Sequence, residues 1–362
     1  MKLVEKILSL HKIKTCHFRW LLSGFLLISL TAGILFYWQA SETTEEVTLT
    51  RLKEHKLTLA RASAHIISQF FQDKQTELLL LAEIEAIERG RPVETEAILE
   101  DVYEHLRQEE VVGDIVRVGG EGEIIASAYT KEQISLADRD YFVWAKKQVK
   151  PGGVFFSEPM VARGGPGKGK LGMVMATPIF YQDEFNGLLL FAFTLENLTE
   201  RFVTPLARST QVQALIIAQN GRVAASTLSH VLGQDIFEYL GGKEWGTEEL
   251  IETVKEAQKE EKSLVHFCGD AAGGQKRALS TFSPVNINQV NWVLWVSSPY
   301  EVVMESAWPL RRNQTIGITF GLLGLLALAF LYVFGVRVAQ KDAFIDGFRN
   351  GRDGIKKSKK KS

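Results

Sequence analysis

Arg139 lies in the segment of this 362-residue chain where side chains suited to binding a small molecule are most concentrated. In Asp138-Arg-Asp-Tyr-Phe142 a guanidinium stands between two carboxylates and is followed by two aromatic rings. A guanidinium offers a planar fork of donors that matches a carboxylate. We therefore take Arg139, Asp140, Tyr141 and Phe142 as candidate ligand contacts. The alternatives are a surface ion pair for Arg139 and core packing for the two rings.

Further candidates lie in the strand-like runs that follow. Successive side chains of a strand point to opposite faces, so only a subset of each run can line a pocket. The Gly-rich, basic segment ARGGPGKGK is either a lid over an anionic ligand or a solvated loop, and it lacks the phosphate-binding arrangement of a P-loop. The candidates from these segments are Phe156, Ser157, Arg163, Met175, Thr177 and Phe193.

Signatures of catalysis are missing from the sequence. The histidines are scattered without metal-ligand spacing such as HExxH, and no GxSxG nucleophile motif occurs. Residues 39–314 hold 39 acidic and 28 basic residues, which disfavours nucleic-acid binding. The sequence therefore predicts a protein that is not an enzyme, with no catalytic residues, no metal site, no cofactor and no nucleic-acid partner.

Two uncharged apolar stretches, Trp20–Trp38 and Thr315–Val336, predict membrane spans. Each is close to the ~20 residues that cross a ~30 Å hydrocarbon core. Tryptophan and tyrosine lie near their ends, where amphipathic rings favour the headgroup zone. The alternatives are a cleaved signal peptide for the first stretch and a buried core helix for the second.

The flanks of these stretches predict the orientation. Residues 1–19 and 337–362 are rich in lysine and arginine, which marks the cytoplasmic side, although Arg311 and Arg312 weakly oppose this. We expect the cell (inner) membrane, with both termini in the cytoplasm and residues 39–314 outside. The two cysteines then lie on opposite sides of the membrane, so no intrachain disulfide forms.

The outer region reads as helices followed by a repeated α+β module. Apolar spacing predicts one unbroken helix from Ser41 to Glu88 and a second helix from Glu94 to Gln108. Gly122-Glu-Ile-Ile-Ala-Ser127 matches Gly221-Arg-Val-Ala-Ala-Ser226, and a later pair of segments repeats at a similar offset. The predicted parts are 1–19, span 20–38, helices 39–110, first module 111–207, second module 208–305, span 315–336 and tail 337–362.

This layout resembles the double Cache family of extracytoplasmic sensor domains, found in bacterial histidine kinases, diguanylate cyclases and chemoreceptors. The resemblance rests on Asp138-Arg-Asp-Tyr-Phe142, Gly153-Val-Phe-Phe-Ser-Glu-Pro159, Val174-Met-Ala-Thr-Pro-Ile179 and Phe185-Asn-Gly-Leu-Leu-Leu190, in that order between two spans. It implies two PAS-like modules, each an antiparallel sheet with flanking helices. It also implies a ligand in the first, membrane-distal module.

The resemblance also bears on the ligand. Amino-acid-binding members of the family carry an Arg-x-Trp-Tyr pattern and an Asp on the late strand. The corresponding residues here are Arg139, Tyr141 and Phe142, with Ala192 at the late-strand position. Without that Asp, an ammonium group has no evident partner. We therefore expect an organic acid in preference to an amino acid or an amine.

Only 26 residues follow Val336, too few for the usual kinase, cyclase or chemoreceptor output domain. We expect a sensor that signals to a separate cytoplasmic partner and forms a homodimer through its first helix. One alternative is the input half of a truncated or split histidine kinase, diguanylate cyclase or chemoreceptor. The other is an extracytoplasmic adaptor that binds no small molecule.

Overall fold

The computed structural model describes residues 49–107, 111–210, 212–244, 246–269, 275–288 and 290–305, with isolated helical residues at 31, 47 and between 316 and 334. The predicted termini 1–19 and 337–362 lie outside the described residues. The predicted spans 20–38 and 315–336 are described only in part. Among the described residues, no helix has both the length and the apolar character needed to cross a membrane. Apart from residue 49, the elements below belong to one compact unit, Thr50–Glu305.

Three helices open this unit. α1 comprises residues 49–82 and ends at a two-residue turn, after which α2 (Glu85–Arg89) buries Ile87 completely. The prediction of one unbroken helix as far as Glu88 was therefore wrong, because the turn redirects the chain and brings Ile87 into the core. α3 (Pro92–Leu106) confirms the second predicted helix, and its proline occupies the first turn, where the missing N–H has no intrahelical acceptor.

The first sheet is built from the segment that carries the candidate site. Its strands are β1 (Val112–Val118), β2 (Ile124–Ser127), β3 (Phe155–Phe156), β4 (Met160–Val161), β5 (Leu171–Tyr181) and β6 (Glu184–Thr194). The order is β2-β1-β6-β5-β3, and β4 also pairs with β5. All pairings are antiparallel. The helix α4 (Asp140–Lys146) packs on the face of β5 and β6.

A continuous helical segment leads from the first sheet to the second. It consists of α5 (Leu195–Leu198), a π-helical turn (Thr199–Val203) and α6 (Thr204–Thr210). The second sheet comprises β7 (Gln213–Ile217), β8 (Val223–Ser226), β9 (Lys262–Gly269), β10 (Gln275–Ile287) and β11 (Val290–Pro299). Its helices are α7 (Ile236–Gly241), α8 (Glu248–Glu256) and α9 (Tyr300–Glu305).

The two sheets confirm the internal repeat. The second sheet has the order β8-β7-β11-β10-β9, which reproduces the connectivity of the first. The two repeated hexapeptides form equivalent hairpins: Val116 pairs with Ser127 in β1–β2, and Leu215 pairs with Ser226 in β7–β8. The predicted α+β class, with two antiparallel sheets and flanking helices, is confirmed.

Phe71 of α1 is the centre of an aromatic cluster that joins both sheets to the first helix. Its ring centroid lies 5.0 Å from that of Trp292, 5.8 Å from Phe193, 6.1 Å from Phe156 and 6.3 Å from Phe202. These rings come from β11, β6, β3 and the π-helical turn. The main core therefore lies between α1 and the two sheets, and the opposite face of the first sheet is left for the candidate site.

Candidate functional site: a cavity on the first sheet

A cavity of about 90 Å³ lies between the first sheet and two connecting segments, one from β2 to α4 and one from β4 to β5. Strands β1, β5 and β6 form its floor, and the β4–β5 loop, residues 162–170, lies over it. Most of the wall is apolar, from Val116, Ile124, Ile134, Leu136, Val174 and Leu190. The charged side chains in its wall are Asp114, Arg139 and Arg163.

Asp114 of β1 supplies a buried carboxylate to this cavity, with only 3% of its surface exposed. It accepts hydrogen bonds from the backbone N–H groups of Ile115 (2.8 Å), Tyr129 (3.1 Å) and Thr130 (3.2 Å), and from the hydroxyls of Ser127 and Thr130. Burial raises the pKa of the Asp114 carboxyl, and these hydrogen bonds oppose that rise. The five donors surround a group that only accepts when ionised, so they stabilise the charged form and limit this rise.

Arg139 supplies the opposite charge from the N-terminus of α4. It is the N-cap residue, with an extended backbone of φ −79° and ψ 141°, and it lines the cavity. Nη2 donates to the carbonyl of Val161 at 2.9 Å, and Nη1 donates to the thioether sulfur of Met160 at 3.4 Å. Nε is buried and has no hydrogen-bond partner, which is true of no other buried side-chain nitrogen or oxygen among the described residues.

Tyr141 follows in the first turn of α4 and lines the same cavity. The side chain is 97% buried, since only 3% of its surface is exposed. Burial raises the pKa of Tyr141 to about 12. The phenol therefore stays protonated at physiological pH and can donate a hydrogen bond to a ligand oxygen.

The β4–β5 loop is held over the cavity by ion pairs. Both Nη atoms of Arg163 donate to the Asp138 carboxylate at 2.5 Å, and this pairing lowers the pKa of Asp138 to about 2. Gly165 has a φ of +70°, and a Cβ there would lie 2.8 Å from Thr130 Oγ1 and 3.2 Å from Asp114 Oδ2. Only glycine allows the loop backbone to approach the carboxylate this closely.

A family model described as a Cache domain matches residues 40–307, about three quarters of the chain. The chain belongs to the Cache domain family. The predicted resemblance is thereby confirmed.

Solved structures share the fold of this Cache domain at low sequence identity. The ligand-binding domain of the Pseudomonas fluorescens chemoreceptor CtaA, in complex with L-isoleucine, aligns at 12% identity and a TM-score of 0.53, covering 73% of this chain and 99% of that one. The extracellular domain of the putative histidine kinase mmHK1S-Z3 aligns at 17% identity and a TM-score of 0.53, covering 72% and 98%.

A third structure is the ligand-binding domain of the Pseudomonas aeruginosa chemoreceptor PctB with L-arginine. It aligns at 12% identity and a TM-score of 0.51, covering 69% of this chain and 96% of that one. No curated protein matches the chain. The Cache domain here thus has the fold of sensor domains from chemoreceptors and histidine kinases.

The Cache domain brings together four of the ten predicted site residues. Arg139, Tyr141, Arg163 and Phe193 line the cavity, although the Phe193 ring also packs against Phe71. Asp140 is exposed at the start of α4. Phe142 is buried against Phe185, with ring centroids 6.0 Å apart.

The remaining predicted residues lie away from the cavity. The Phe156 ring packs against Phe71, and Met175 is completely buried in the core beneath α1. The Ser157 hydroxyl donates to the carbonyl of Glu158, and that of Thr177 donates to the carbonyl of Gly153. The alternation of side chains along β5 explains the position of Met175: Val174 faces the cavity, so the next side chain faces α1.

Sequence reasoning missed Asp114, Thr130 and Met160. The sequence could have indicated Asp114. It precedes Val116 by two residues and Val118 by four, so the acid shares one face of a predicted strand with these two valines. Thr130 and Met160 lie in short connecting segments, where periodicity carries no information. The expectation that an ammonium group has no partner rested on Ala192, and the structure pairs Ala192 with Asp114 across the ladder.

Proposed function

We propose that this Cache domain is an extracytoplasmic sensor that binds a small α-amino acid in the cavity of the first sheet. The observation that carries the proposal is the presence of two opposite, unmatched charges in one cavity. Neither Asp114 nor Arg139 forms an ion pair with another described residue, although both are hydrogen-bonded to neutral groups. A ligand with an ammonium and a carboxylate group complements both.

The electrostatics favour a zwitterion over a simple acid. An anion bound at Arg139 would share the cavity with the negative charge of Asp114, and like charges repel strongly where water is excluded. An ammonium group on the same ligand turns that repulsion into attraction. The carboxylate would accept from the Arg139 guanidinium and from the Tyr141 hydroxyl, since both residues line the cavity.

The apolar wall indicates the ligand side chain. Val116, Ile124, Ile134 and Leu190 contribute apolar surface to the cavity wall. A charged ligand side chain would lose its hydration there without a partner, which is costly. Small aliphatic amino acids therefore fit best, and L-isoleucine bound to CtaA is a suitable first member of the test panel.

The organic acid expected from the sequence is the second candidate. It is favoured by one specific observation: five donors already occupy the lone pairs of Asp114, so a ligand ammonium would have to displace one of them. If that displacement costs more than the ammonium gains, an acid without an amine binds more tightly.

Isothermal titration of the full-length chain with matched ligands separates the two candidates. Each panel of three comprises an L-amino acid, the acid that lacks its amino group, and the carboxamide that lacks its carboxylate. The proposal expects the amino acid to bind at least tenfold more tightly than either analogue. Tighter binding of the deaminated acid supports the second candidate. If no small molecule binds, the result supports the alternative that the protein is an extracytoplasmic adaptor.

The predicted homodimer remains a proposal, and the surface of α1 supports it. Ile66 and Leu80 are 63% and 61% exposed, and their spacing of two heptads places them on one face of the helix. Sedimentation of the full-length chain should show a dimer that Ile66→Lys weakens.

The two membrane spans and a separate cytoplasmic partner also remain proposals. An adjacent reading frame encoding a kinase or cyclase would instead favour a split receptor.

A further inference from the structure

Met160 of β4 is the neighbour of Arg139 whose role the ligand-binding proposal leaves unexplained. β4 has only two residues, and it pairs with β5 through Met160–Gly172 and Val161–Leu171. The Met160 side chain lines the cavity, and its sulfur accepts a hydrogen bond from Arg139 Nη1 at 3.4 Å. The next carbonyl, that of Val161, accepts from Nη2. Two consecutive residues of one short strand therefore hold both ends of the guanidinium.

Holding two nitrogens of a guanidinium fixes the direction of the third. The group is planar, and its five N–H bonds have a rigid geometry. With Nη1 and Nη2 docked against β4, the Nε–H bond is fixed as well, and Nε is buried without a partner. A buried donor without an acceptor is unfavourable. The arrangement therefore fixes the whole guanidinium of a cavity-lining residue and leaves one of its donors without an acceptor in the protein.

The thioether suits this task because it is a weak acceptor. It orients Nη1 without competing strongly for it, so a ligand carboxylate can take over that N–H when it binds. The unbranched methionine side chain also adapts to small movements of the guanidinium. A leucine would fill similar space and accept nothing.

We propose that Met160 is a positioning residue, which presents the Arg139 guanidinium to a ligand carboxylate and thereby sets the preference for carboxylate over uncharged ligands. The inference rests on the proposed function, since it requires a ligand in the same cavity. It concerns discrimination between a carboxylate and its neutral analogue, which a purely packing role of Met160 would not affect.

The test uses the full-length chain and the tightest binder among the twenty L-amino acids, together with the carboxamide of that amino acid. Titration gives the ratio of the two dissociation constants for the unaltered chain and for Met160→Leu. We expect Met160→Leu to reduce this carboxylate preference about tenfold, mainly by weakening binding of the amino acid. The amide oxygen of Met160→Gln can accept from Nη1. This variant should therefore restore at least half of the loss, measured as the logarithm of the ratio of the two dissociation constants.

Met175→Leu is the matched control, because Met175 lies on the same sheet but is buried on the face toward α1. It should leave the carboxylate preference unchanged. An unchanged preference in Met160→Leu, or an equal loss for both ligands, overturns the positioning role while leaving the proposed function intact. If no amino acid binds the unaltered chain, the proposed function fails, and the role of Met160 fails with it.

Discussion

Asp114 on β1 lies directly opposite Ala192 on β6, and both face the cavity of the first sheet. The late strand thus carries an alanine at this position, and the adjacent strand supplies an acid at the same level of the ladder. Because paired residues of an antiparallel ladder have Cβ atoms about 5 Å apart, a carboxylate can serve nearly the same region of space from either strand.

Asp114→Asn should weaken binding of an amino acid by about tenfold to a hundredfold, corresponding to about 1.4–2.8 kcal/mol. The deaminated acid should lose little affinity or gain some, because the repelling charge is removed. Isothermal titration of the two ligands against the variant and the unaltered chain gives both values.

Asp140→Asn is the control for this experiment, since it removes a carboxylate that is exposed and outside the cavity. It should change neither affinity more than twofold. If Asp114→Asn weakens both ligands equally, Asp114 only supports the loop through Ser127 and Thr130 and does not recognise an ammonium group.

Gly165→Ala should disturb the loop above the cavity. The residue has a φ of +70°, and the added methyl group would lie 2.8 Å from Thr130 Oγ1. The strain of a left-handed alanine is roughly 1–2 kcal/mol, and the close contact adds to it. We expect faster ligand dissociation in stopped-flow measurements. Gly169→Ala is the matched control, because it has a φ of +78° but open space around the new Cβ.

An equal effect of Gly165→Ala and Gly169→Ala would mean that backbone strain alone matters. A larger effect at Gly165 would mean that close approach of the loop to Thr130 and Asp114 holds the cavity closed.

How well the sequence predicts each element of this fold depends on whether the local residue pattern or tertiary packing determines that element. The repeated hexapeptides and the alternating strands predicted both hairpins, because local pattern decides them. The end of α1 could not be predicted, since neither glycine nor proline marks the turn and only tertiary burial of Ile87 explains it. The sheet face of Met175 and Phe193 was unpredictable for a related reason. When a strand is apolar and buried on both faces, its sequence does not show whether the odd-numbered or the even-numbered side chains face the cavity.

Phe71→Ala should destabilise the domain by about 3–5 kcal/mol, as expected for removing a buried aromatic ring. The loss should be large because four other rings, from both sheets and the π-helical turn, pack around Phe71 within 6.3 Å. Urea denaturation followed by circular dichroism measures it. Glu54→Ala, at an exposed position of the same helix outside the proposed dimer face, should change the free energy of unfolding by less than about 0.5 kcal/mol.

His266 should make the second sheet sensitive to acid. Its ring is buried within a chain of hydrogen bonds: Trp295 Nε1 donates to Ser280 Oγ at 2.8 Å, the Ser280 hydroxyl donates to His266 Nε2 at 2.7 Å, and Nδ1 donates to the Phe267 carbonyl at 2.7 Å. With these directions the imidazole is neutral, and burial lowers the pKa of His266 below its usual value of 6.5, although the hydrogen bond to Phe267 and the charge of Glu249 oppose this.

A histidine with a lowered pKa in the folded state binds a proton more readily when unfolded. The free energy of unfolding should therefore be fully retained above about pH 6.5 and decrease as the pH falls below it, by at most about 1.4 kcal/mol per pH unit from this group. His266→Gln keeps an acceptor and a donor but cannot be protonated. Its urea midpoint should fall less than that of the unaltered chain between pH 7.5 and 5.5.

His65→Gln provides the comparison, since His65 is exposed on α1. It should follow the acid dependence of the unaltered chain. Parallel curves for His266→Gln and the unaltered chain would contradict the assignment, because they would place the acid sensitivity in other groups. A flatter curve for His266→Gln alone would establish that the neutral imidazole between Ser280 and Phe267 stabilises the fold.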